Sequence, residues 1–347
     1  MSLPTDTAGG FLHSEFRGHT LIRSIFRLGL SAALAVGLTF SLGGCKKGNR
    51  QEKQRFKLHM TDEVKNTPLS QLLPKTNVKT GKRIAEVDDK VKNDYMYGTL
   101  AGQYGKYPTA VTYLKAALAR EPKLVDAHHN LGLAYYKMGR VDDAIREWAQ
   151  TLRLDPTYDE TYYNIAIFLL DNGRKADAQT ALTRCIQANQ FHLKARFALG
   201  KLAQQEGKNQ EAIRHFRAYQ MRDRGDLKVH LALGELYLLE NQVDASLKEF
   251  ESAARIDDKN PTVHYQLGVA YHRRGQLDQA IFQYKRTTEL APDHVHAYIN
   301  LGDVYSYRKE YASALAAYNA ALGIDSTNVY AQKKAAQVEK KLLEKDQ

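Results

Sequence analysis

Two cysteines are the residues of this chain most able to carry covalent chemistry. Two thiols are too few for a disulfide framework, and Cys45 and Cys185 lie in such different sequence surroundings that we expect no bond between them. Cys185 occupies a position of a repeated pattern that alanine holds elsewhere, at Ala117, Ala253 and Ala321. We therefore predict that Cys185 is a small buried residue, which leaves Cys45 as the cysteine whose chemistry needs an explanation.

A second set of candidates could bind a metal or a phosphate. Two histidine pairs occur, His128 with His129 and His294 with His296. Neither pair has other donors at the spacing of a zinc site, so we interpret all four as helix-surface or turn residues. In the stretch GTLAGQYGKY, Leu100 and Tyr107 stand where a phosphate-binding loop needs glycine and serine or threonine. The sequence therefore predicts no catalytic residue, no metal, no cofactor and no small-molecule substrate, and we expect that the chain is not an enzyme.

The segment before Cys45 has the layout of an export signal. No charged residue occurs in residues 28–44, LGLSAALAVGLTFSLGG, and Arg17, Arg23 and Arg27 precede them. A positive start, an apolar core of about 15 residues and small residues at the end are typical of a signal peptide. A membrane-spanning helix needs about 20 apolar residues, and this run is shorter. We therefore predict a signal peptide over residues 1–44.

The sequence LGGC at residues 42–45 resembles the lipobox of bacterial lipoproteins. In that family the cysteine thiol takes a diacylglyceryl group, and cleavage leaves the acylated cysteine as the first residue. The resemblance implies that Cys45 carries acyl chains such as palmitate and anchors the protein in a membrane. An uncleaved membrane anchor and a free or metal-binding cysteine are the alternatives. The long stretch before Arg23 departs from the family, and we hypothesise that translation starts nearer Leu21 from a non-Met codon.

Much of the positive charge follows Cys45. The chain has a formal net charge of +11, and residues 45–90 hold 12 Lys and Arg against six Asp and Glu. We predict that residues 45–90 form a basic flexible linker, with one short helical piece around residues 62–73, that suits an anionic membrane surface. Nucleic-acid binding is the weaker alternative, and we expect none. In lipoproteins of Gram-negative cells an Asp after the cysteine favours the inner membrane; because Lys46 stands there instead, the resemblance favours the outer membrane, facing the periplasm, if the source is Gram-negative.

The rest of the chain repeats one pattern with a period of 34 residues. Seven copies occupy residues 91–328 without insertion and start at residues 91, 125, 159, 193, 227, 261 and 295. The eighth position is small in every copy: Gly98, Gly132, Ala166, Gly200, Gly234, Gly268 and Gly302. So is the twentieth: Ala110, Ala144, Ala178, Ala212, Ser246, Ala280 and Ala314. These columns predict two antiparallel helices that cross closely in each copy, because a large side chain would push the pair apart. In four copies a glycine follows the predicted first helix and indicates the C-terminus of that helix: Gly139, Gly173, Gly207 and Gly275.

This pattern resembles the tetratricopeptide repeat, whose order of Leu-Gly, Tyr, Ala, an aromatic residue and Pro is matched column by column. The resemblance implies an all-α fold, a right-handed α-solenoid of seven helix-turn-helix repeats over residues 91–328. The first copy has Ala101 where Tyr is usual, and the last lacks Pro at Ser326; terminal repeats are expected to be atypical. We predict that residues 329–347 form a polar capping helix.

In the tetratricopeptide family the first helix of each repeat lines a concave groove that binds partners. The resemblance implies that positions two, five, nine, twelve and thirteen face this groove, often with Asn at position six. The groove residues so predicted are Tyr95, His129, Asn130, Leu133, Tyr163, Asn164, Ile167, Phe197, Lys201, Tyr265, Gln266 and Asn300. Amides at position six could pair with the backbone of a bound segment, although position five can pack against the next repeat and Asn at position six is common regardless of ligand. No Lys occupies position five, which argues against the acidic chaperone tails that related repeats bind.

Together these features predict a lipid-anchored scaffold that binds other proteins. Tetratricopeptide lipoproteins of similar layout serve in pilus and secretin assembly, in motility complexes and in polysaccharide export. We expect an assembly factor for a cell-envelope machine of the pilus, secretin or motility type, and the alternative is a periplasmic scaffold for exopolysaccharide synthesis or export. The expected partners are an extended segment or helix of another protein in the groove and a membrane through the lipid.

Overall fold

The computed structural model describes residues 68–74, 76 and 78–345. The predicted signal peptide, Cys45 and the predicted linker up to residue 67 lie outside these residues. Within them every regular element is helical, which confirms the predicted all-α class. None of the helices in these ranges is both long enough and apolar enough to cross a membrane.

A pair of helices joined by a short turn is the unit of the fold. The short α1 (Leu69–Leu72) stands before the pairs. The first helices of the pairs are α2 (Asp89–Gln103), α4 (Val125–Lys137), α6 (Asp159–Asp171), α8 (Leu193–Gln205), α10 (Leu227–Leu239), α12 (Pro261–Arg273) and α14 (Val295–Tyr307). The second helices are α3 (Tyr107–Arg120), α5 (Val141–Leu154), α7 (Lys175–Ala188), α9 (Asn209–Gln220), α11 (Val243–Ile256), α13 (Leu277–Leu290) and α15 (Tyr311–Ile324), and α16 (Val329–Lys345) follows the last pair. Six of the seven predicted repeat starts coincide with the first residue of a helix. The exception is α2, which begins two residues early because Asp88 caps it by accepting from the backbone N–H groups of Lys90 and Val91.

The two helices of a pair approach closely because the first one carries a glycine under a ring of the second. A Cβ added to Gly234 would lie 2.3 Å from Cε1 of Phe250, and both residues are buried. The same relation recurs at Gly132 with Trp148, Gly200 with Phe216, Gly268 with Tyr284 and Gly302 with Tyr318. In the third pair Ala166 takes the glycine position, and the buried side chain at the matching position is Leu182. The eighth position is therefore small because the twenty-fourth is large.

The turn inside each pair reverses the chain through one residue with positive φ. Gly139, Gly173, Gly207 and Gly275 have φ values of 77°, 74°, 72° and 79°, which confirms their prediction as residues at helix C-termini. Asn241 and Lys309 hold the equivalent place in the fifth and seventh pairs, with φ values of 56° and 62°. These two side chains adopt a backbone conformation that favours glycine.

Successive pairs are tied together by the fourth residue of the first helix in α4, α6, α8, α10 and α12. This side chain bonds the backbone carbonyl six residues earlier, in the turn that ends the previous pair. The donors include Tyr162 Oη to Pro156 at 2.9 Å, Arg196 Nε to Gln190 at 3.0 Å, and Nε2 of His128, His230 and His264 at 2.8–3.0 Å. The same three histidines bond a side chain of their second helix through Nδ1, His128 with Glu147 at 2.6 Å among them. His128 was predicted to be a helix-surface residue, and the structure places it in this inter-helix contact instead.

α16 continues the 34-residue register of the first helices, as its first residue lies 34 positions after Val295. Its buried residues Ala331, Ala335 and Val338 cover the open end of the last pair. Gln332 makes the fourth-residue bond, with Nε2 donating to the Ser326 carbonyl at 2.8 Å. α16 thus occupies the place predicted for a capping helix.

Residues 79–87, which we name the strap, lie against the first two pairs. The backbone N–H of Gly81 donates to the carbonyl of Leu154 at 3.0 Å, and the carbonyl of Lys82 accepts from the N–H of Val125 at 3.0 Å. A Cβ on Gly81 would lie 2.3 Å from Cγ2 of Val125, so only glycine allows this approach. We predicted a flexible linker over residues 45–90; the strap departs from that prediction because its backbone is hydrogen-bonded to the turns between pairs.

Arg83 fixes the strap by entering an acidic pocket between pairs. Its guanidinium lies 2.9 Å from Asp126 and 3.4 Å from Asp155, and both carboxylates are buried. The same group stacks over the ring of Tyr158, 4.7 Å from the ring centre. Two buried carboxylates would be costly without a cation, so Arg83 joins the strap to the second pair and to the turn that follows it.

Candidate functional site

Four of the predicted groove residues meet in one cavity. Tyr163 and Ile167 of α6 and Phe197 and Lys201 of α8 line a depression of about 690 Å³. We name it the central groove, defined by Tyr163, Ile167, Leu170, Lys175, Lys194, Phe197, Ala198, Lys201, Leu202, Gln205, Tyr219, Asp226 and Lys228. It lies along the first helices of the third, fourth and fifth pairs and is large enough for several side chains of a partner.

Half-buried aromatic rings form the floor of the central groove. The ring of Phe197 meets those of Phe216 and Tyr219 edge-on, with ring centres 5.5 and 6.2 Å apart. The ring of Tyr163 lies 5.1 Å from that of His192. Each floor ring is held on one side by the body and leaves its other side accessible, as a preformed apolar binding surface requires.

Tyr219 is a groove residue that the sequence prediction missed, because it belongs to a second helix. Its hydroxyl donates to Asp226 at 2.7 Å, and this contact together with burial raises the pKa of Tyr219 to about 12. A signal was present in the sequence. Tyr219 stands at the twenty-seventh position, where the other copies have Ala117, Thr151, Cys185, Ala253, Thr287 and Ala321. One large residue in a column of small ones marks a repeat with an altered surface.

Three of the four predicted position-six amides bind the preceding first helix. Asn130 Nδ2 donates to the hydroxyls of Tyr95 at 3.1 Å and Thr99 at 3.0 Å. Gln266 Nε2 donates to Glu235 at 3.0 Å, and Asn300 Nδ2 donates to the Tyr265 hydroxyl at 3.2 Å. We predicted that these amides pair with a partner's backbone. In this structure the donors of Asn130, Gln266 and Asn300 already serve contacts between pairs.

Asn164 differs from the other three amides. Its side chain is partly exposed and makes no hydrogen bond within the described part of the chain. Asn130 bonds the residues 35 and 31 positions before it, whereas the residues so spaced before Asn164 are His129 and Leu133, and neither carries a hydroxyl. Asn164 directly follows Tyr163 in the chain, although its own side chain does not line the central groove.

One predicted groove residue of the second pair, His129, is buried instead. His129 was expected to face the groove, yet it is 7% exposed, with its ring 4.9 Å from that of Tyr158 and its Nδ1 2.7 Å from Oγ1 of Thr161. Burial lowers the pKa of His129 to about 4, against the opposing effect of Glu160 and Asp126. His129 therefore packs between pairs, with the ring of Tyr158 stacked on it.

Asn130 and Leu133 line a second, smaller cavity. It measures about 230 Å³ and lies between α2, α3 and α4, with Thr99, Tyr107 and Lys137 around it. It is separate from the central groove and has no aromatic floor of comparable extent. Of the remaining predicted groove residues, Tyr265 is half-buried beside Tyr284 at 6.1 Å between ring centres, and it lines neither cavity.

The carboxylates on the concave positions are bound by neighbours. Asp126 meets Arg83, and Glu160 lies 3.5 Å from Nε2 of His192, a contact that lowers the pKa of Glu160. Further contacts join Asp171 to the Tyr136 hydroxyl at 2.7 Å, Glu235 to Gln266 at 3.0 Å and Asp303 to the Tyr318 hydroxyl at 2.6 Å. These acids contribute to the packing of the pairs.

Cys185 is fully buried, as predicted for a small core residue. Burial, with Asp159 and Glu160 nearby, raises the pKa of its thiol to about 12, so the reactive thiolate is disfavoured. The described residues contain no group of three or more His, Cys, Asp and Glu side chains placed to hold a metal ion.

Family models identify the repeated body. A tetratricopeptide repeat model matches residues 95–159 and 163–227, and a second matches residues 260–327. A TPR repeat model matches residues 234–275. Together these matches cover more than half of the chain and fall on the helical pairs described above. No curated protein sequence matches the chain significantly.

Solved structures share the fold at low sequence identity. The C-terminal part of a TPR repeat-containing protein from Cytophaga hutchinsonii is 16% identical with a TM-score of 0.57, over 69% of this chain and 98% of that structure. YrrB, described as a TPR protein with an unusual peptide-binding site, is 19% identical with a TM-score of 0.50, over 54% and 96%. PilF of Pseudomonas aeruginosa is 14% identical with a TM-score of 0.48, over 61% and 97%. At sequence identities this low, the similarity indicates a shared fold and says nothing about function.

Proposed function

The chain belongs to the tetratricopeptide repeat family, and on that premise we propose that it is a lipid-anchored scaffold that holds a segment of another protein in the central groove. Tetratricopeptide repeats form protein-binding scaffolds that are generally not catalytic. The finer proposal is that the captured protein is part of a cell-envelope machine of the pilus, secretin or motility type, whose assembly the scaffold supports. The anchor is the acylated Cys45, and the proposed location is the outer membrane, on its periplasmic side.

One observation carries the binding part of this proposal: the central groove combines an accessible aromatic floor with a neighbouring amide that has no partner. Phe197 and Tyr163 supply apolar surface, and Asn164 offers one acceptor and two donor hydrogens. A segment of extended backbone would place alternate side chains on the floor and present its peptide groups to the amide. The other position-six amides lack this freedom because they bind the preceding helix.

Photo-crosslinking from the groove tests the proposal. Benzoylphenylalanine at Ile167, in the full chain produced in its own cell envelope, should capture a discrete protein on irradiation. The control position is Lys333, which is exposed on α16 and lies outside the groove. Equal yields from the two positions, or no product from Ile167, would count against a binding groove. Mass spectrometry of the product tests the finer proposal, because pilus, secretin or motility components support it and enzymes of polysaccharide synthesis or export contradict it.

A further inference from the structure

We propose that the central groove selects an acidic segment that also carries aromatic or large aliphatic side chains. This inference rests on the proposed function, because it names the chemistry of the segment that the scaffold would hold. It is based on the positive charges around the groove that form no ion pair in the tertiary structure.

Four lysines surround the central groove: Lys175, Lys194, Lys201 and Lys228. Among the described residues none of them forms an ion pair with a carboxylate. Lys201 donates to the neutral amide of Gln204 at 2.7 Å, and the Lys194 ammonium lies 5.8 Å from the ring centre of Tyr163. Two basic residues elsewhere on the concave surface have partners: Lys92 pairs with Asp89 at 3.4 Å, and Arg273 donates to the Leu238 carbonyl at 2.8 Å.

The acids near these lysines are already bound by other groups. Asp226 is the one carboxylate that lines the groove, and it accepts from the Tyr219 hydroxyl at 2.7 Å and from the backbone N–H of Lys228 at 2.9 Å. Glu160 lies 3.5 Å from His192, and Lys194 acts on it through space without forming an ion pair. Four ammonium groups against one lining carboxylate give the groove an excess of positive charge. A bound acidic segment would supply the missing partners, whereas a basic one would add like charge.

The lysines sit where alternating side chains of an extended segment would meet them. Lys194 and Lys228 occupy position two of their repeats, Lys201 position nine and Lys175 position seventeen, so they ring the aromatic floor and do not replace it. Successive side chains of an extended chain point in opposite directions. A segment that alternates acidic and apolar residues can therefore turn its apolar side chains to Phe197 and Tyr163 and its carboxylates to the rim.

This arrangement differs from a lysine clamp at position five, which the chain lacks. Here the floor residues Tyr163 and Phe197 occupy position five. A bound segment therefore needs apolar side chains as well as negative charge. Exposed ion pairs are individually weak and weaken further with salt. We therefore expect the acidic side chains to contribute selectivity and association rate, and the apolar side chains to contribute most of the retention.

Fluorescence anisotropy with the full-length protein in detergent tests the inference. The probe is a fluorescein-labelled synthetic peptide that alternates Glu with Phe and Leu, compared with matched peptides in which Gln or Lys replaces every Glu. We expect the Glu peptide to bind at least about tenfold more tightly than the Lys peptide, with the Gln peptide between them. The preference should shrink as salt is raised, because surface charge is screened within roughly 10 Å at 0.1 M salt.

A charge-neutralising variant links that preference to the groove. Lys194→Gln, Lys201→Gln and Lys228→Gln combined should weaken the Glu peptide about tenfold and leave the Gln peptide nearly unchanged. The matched control combines Lys248→Gln, Lys259→Gln and Lys333→Gln, three exposed lysines outside the groove, and should leave both affinities unchanged.

Two results would overturn the acidic preference: equal affinity for the three peptides, or equal weakening by the groove and control variants. Failure of this inference is distinguishable from failure of the proposed function. If the crosslink from Ile167 persists in the groove variant with unchanged yield, the groove still binds a protein but does not select it by negative charge. If Ile167 captures nothing in either background, both proposals fail.

Discussion

The side-chain amide of Asn130 donates to the hydroxyl of Tyr95 at 3.1 Å, across the boundary between the first two helical pairs. Both residues lie at positions where the tetratricopeptide family places partner contacts. Here they bind each other instead. The same relation joins Asn300 to Tyr265 at 3.2 Å near the other end of the body. Between them, in the third pair, Asn164 has no such bond, and the central groove lies beside it.

Asn130 and Asn164 should therefore respond differently to the same substitution. Asn130→Ala is expected to lower the free energy of unfolding by about 1 kcal/mol, because two hydroxyls of the preceding helix lose a donor. Asn164→Ala should change stability by less than about 0.5 kcal/mol and should reduce crosslinking from Ile167. Urea denaturation followed by circular dichroism measures the first effect. Equal destabilisation by the two substitutions would show that Asn164 also serves the packing.

Gly234→Ala should destabilise the fifth pair. The added Cβ would lie 2.3 Å from Cε1 of Phe250, so the helices must separate or the ring must move. We expect a loss of about 1 to 2 kcal/mol, since overpacking exceeds the gain in helix propensity. Gly323→Ala is the control, because nothing lies within 4 Å of its Cβ, and it should stabilise by up to about 1 kcal/mol. A stable Gly234 variant would show that Phe250 can move without cost.

Buried His129 should make the body less stable in mild acid. Its pKa is lowered from 6.5 to about 4, so the unfolded state binds more protons in this window. Stability is therefore fully present above pH 6.5 and falls as the pH drops toward 4. Between pH 7 and pH 5 we expect a loss of about 1 to 2 kcal/mol from this residue. His129→Gln should be less stable at neutral pH yet lose less on acidification, and an unchanged pH slope in the variant would contradict the assignment.

Arg83→Gln should weaken the attachment of the strap. The substitution leaves the buried carboxylates of Asp126 and Asp155 without their shared cation. Because Arg83 is itself half exposed, we expect a loss of about 1 to 3 kcal/mol, less than for a fully buried pair. Lys82→Gln is the control, since its contact with Glu121 is at the surface, where an ion pair contributes little to stability. Faster amide exchange across residues 79–87 would be the direct sign of release, and unchanged exchange would count against this role for Arg83.

Cys45→Ser should release the protein from the membrane. Without the thiol no diacylglyceryl group can be attached, so the protein should accumulate in the soluble fraction or as unprocessed precursor. Fractionation after growth with labelled palmitate measures both attachment and acylation. Firm membrane attachment of the serine variant, without label, would favour the uncleaved apolar anchor instead.

The sequence determined the periodic part of the fold. Small residues at the eighth position and large ones at the twenty-fourth specify a helical pair whose geometry repeats with the sequence. Predicted starts at residues 125, 159, 193, 227, 261 and 295 therefore coincide with the observed helices. Contacts within one pair depend on local spacing, and the 34-residue register reports that spacing directly.

The tertiary structure decided which of the repeated positions are free to bind. Asn130 and Asn164 are the same residue at the same position, but the residues 35 and 31 positions earlier are Tyr95 and Thr99 for the first and His129 and Leu133 for the second. The strap is attached to the body because Gly81 and Arg83 find partners more than forty residues away in the chain. Such contacts depend on how successive pairs stack, and a periodic sequence specifies the repeat without specifying what lies across each boundary.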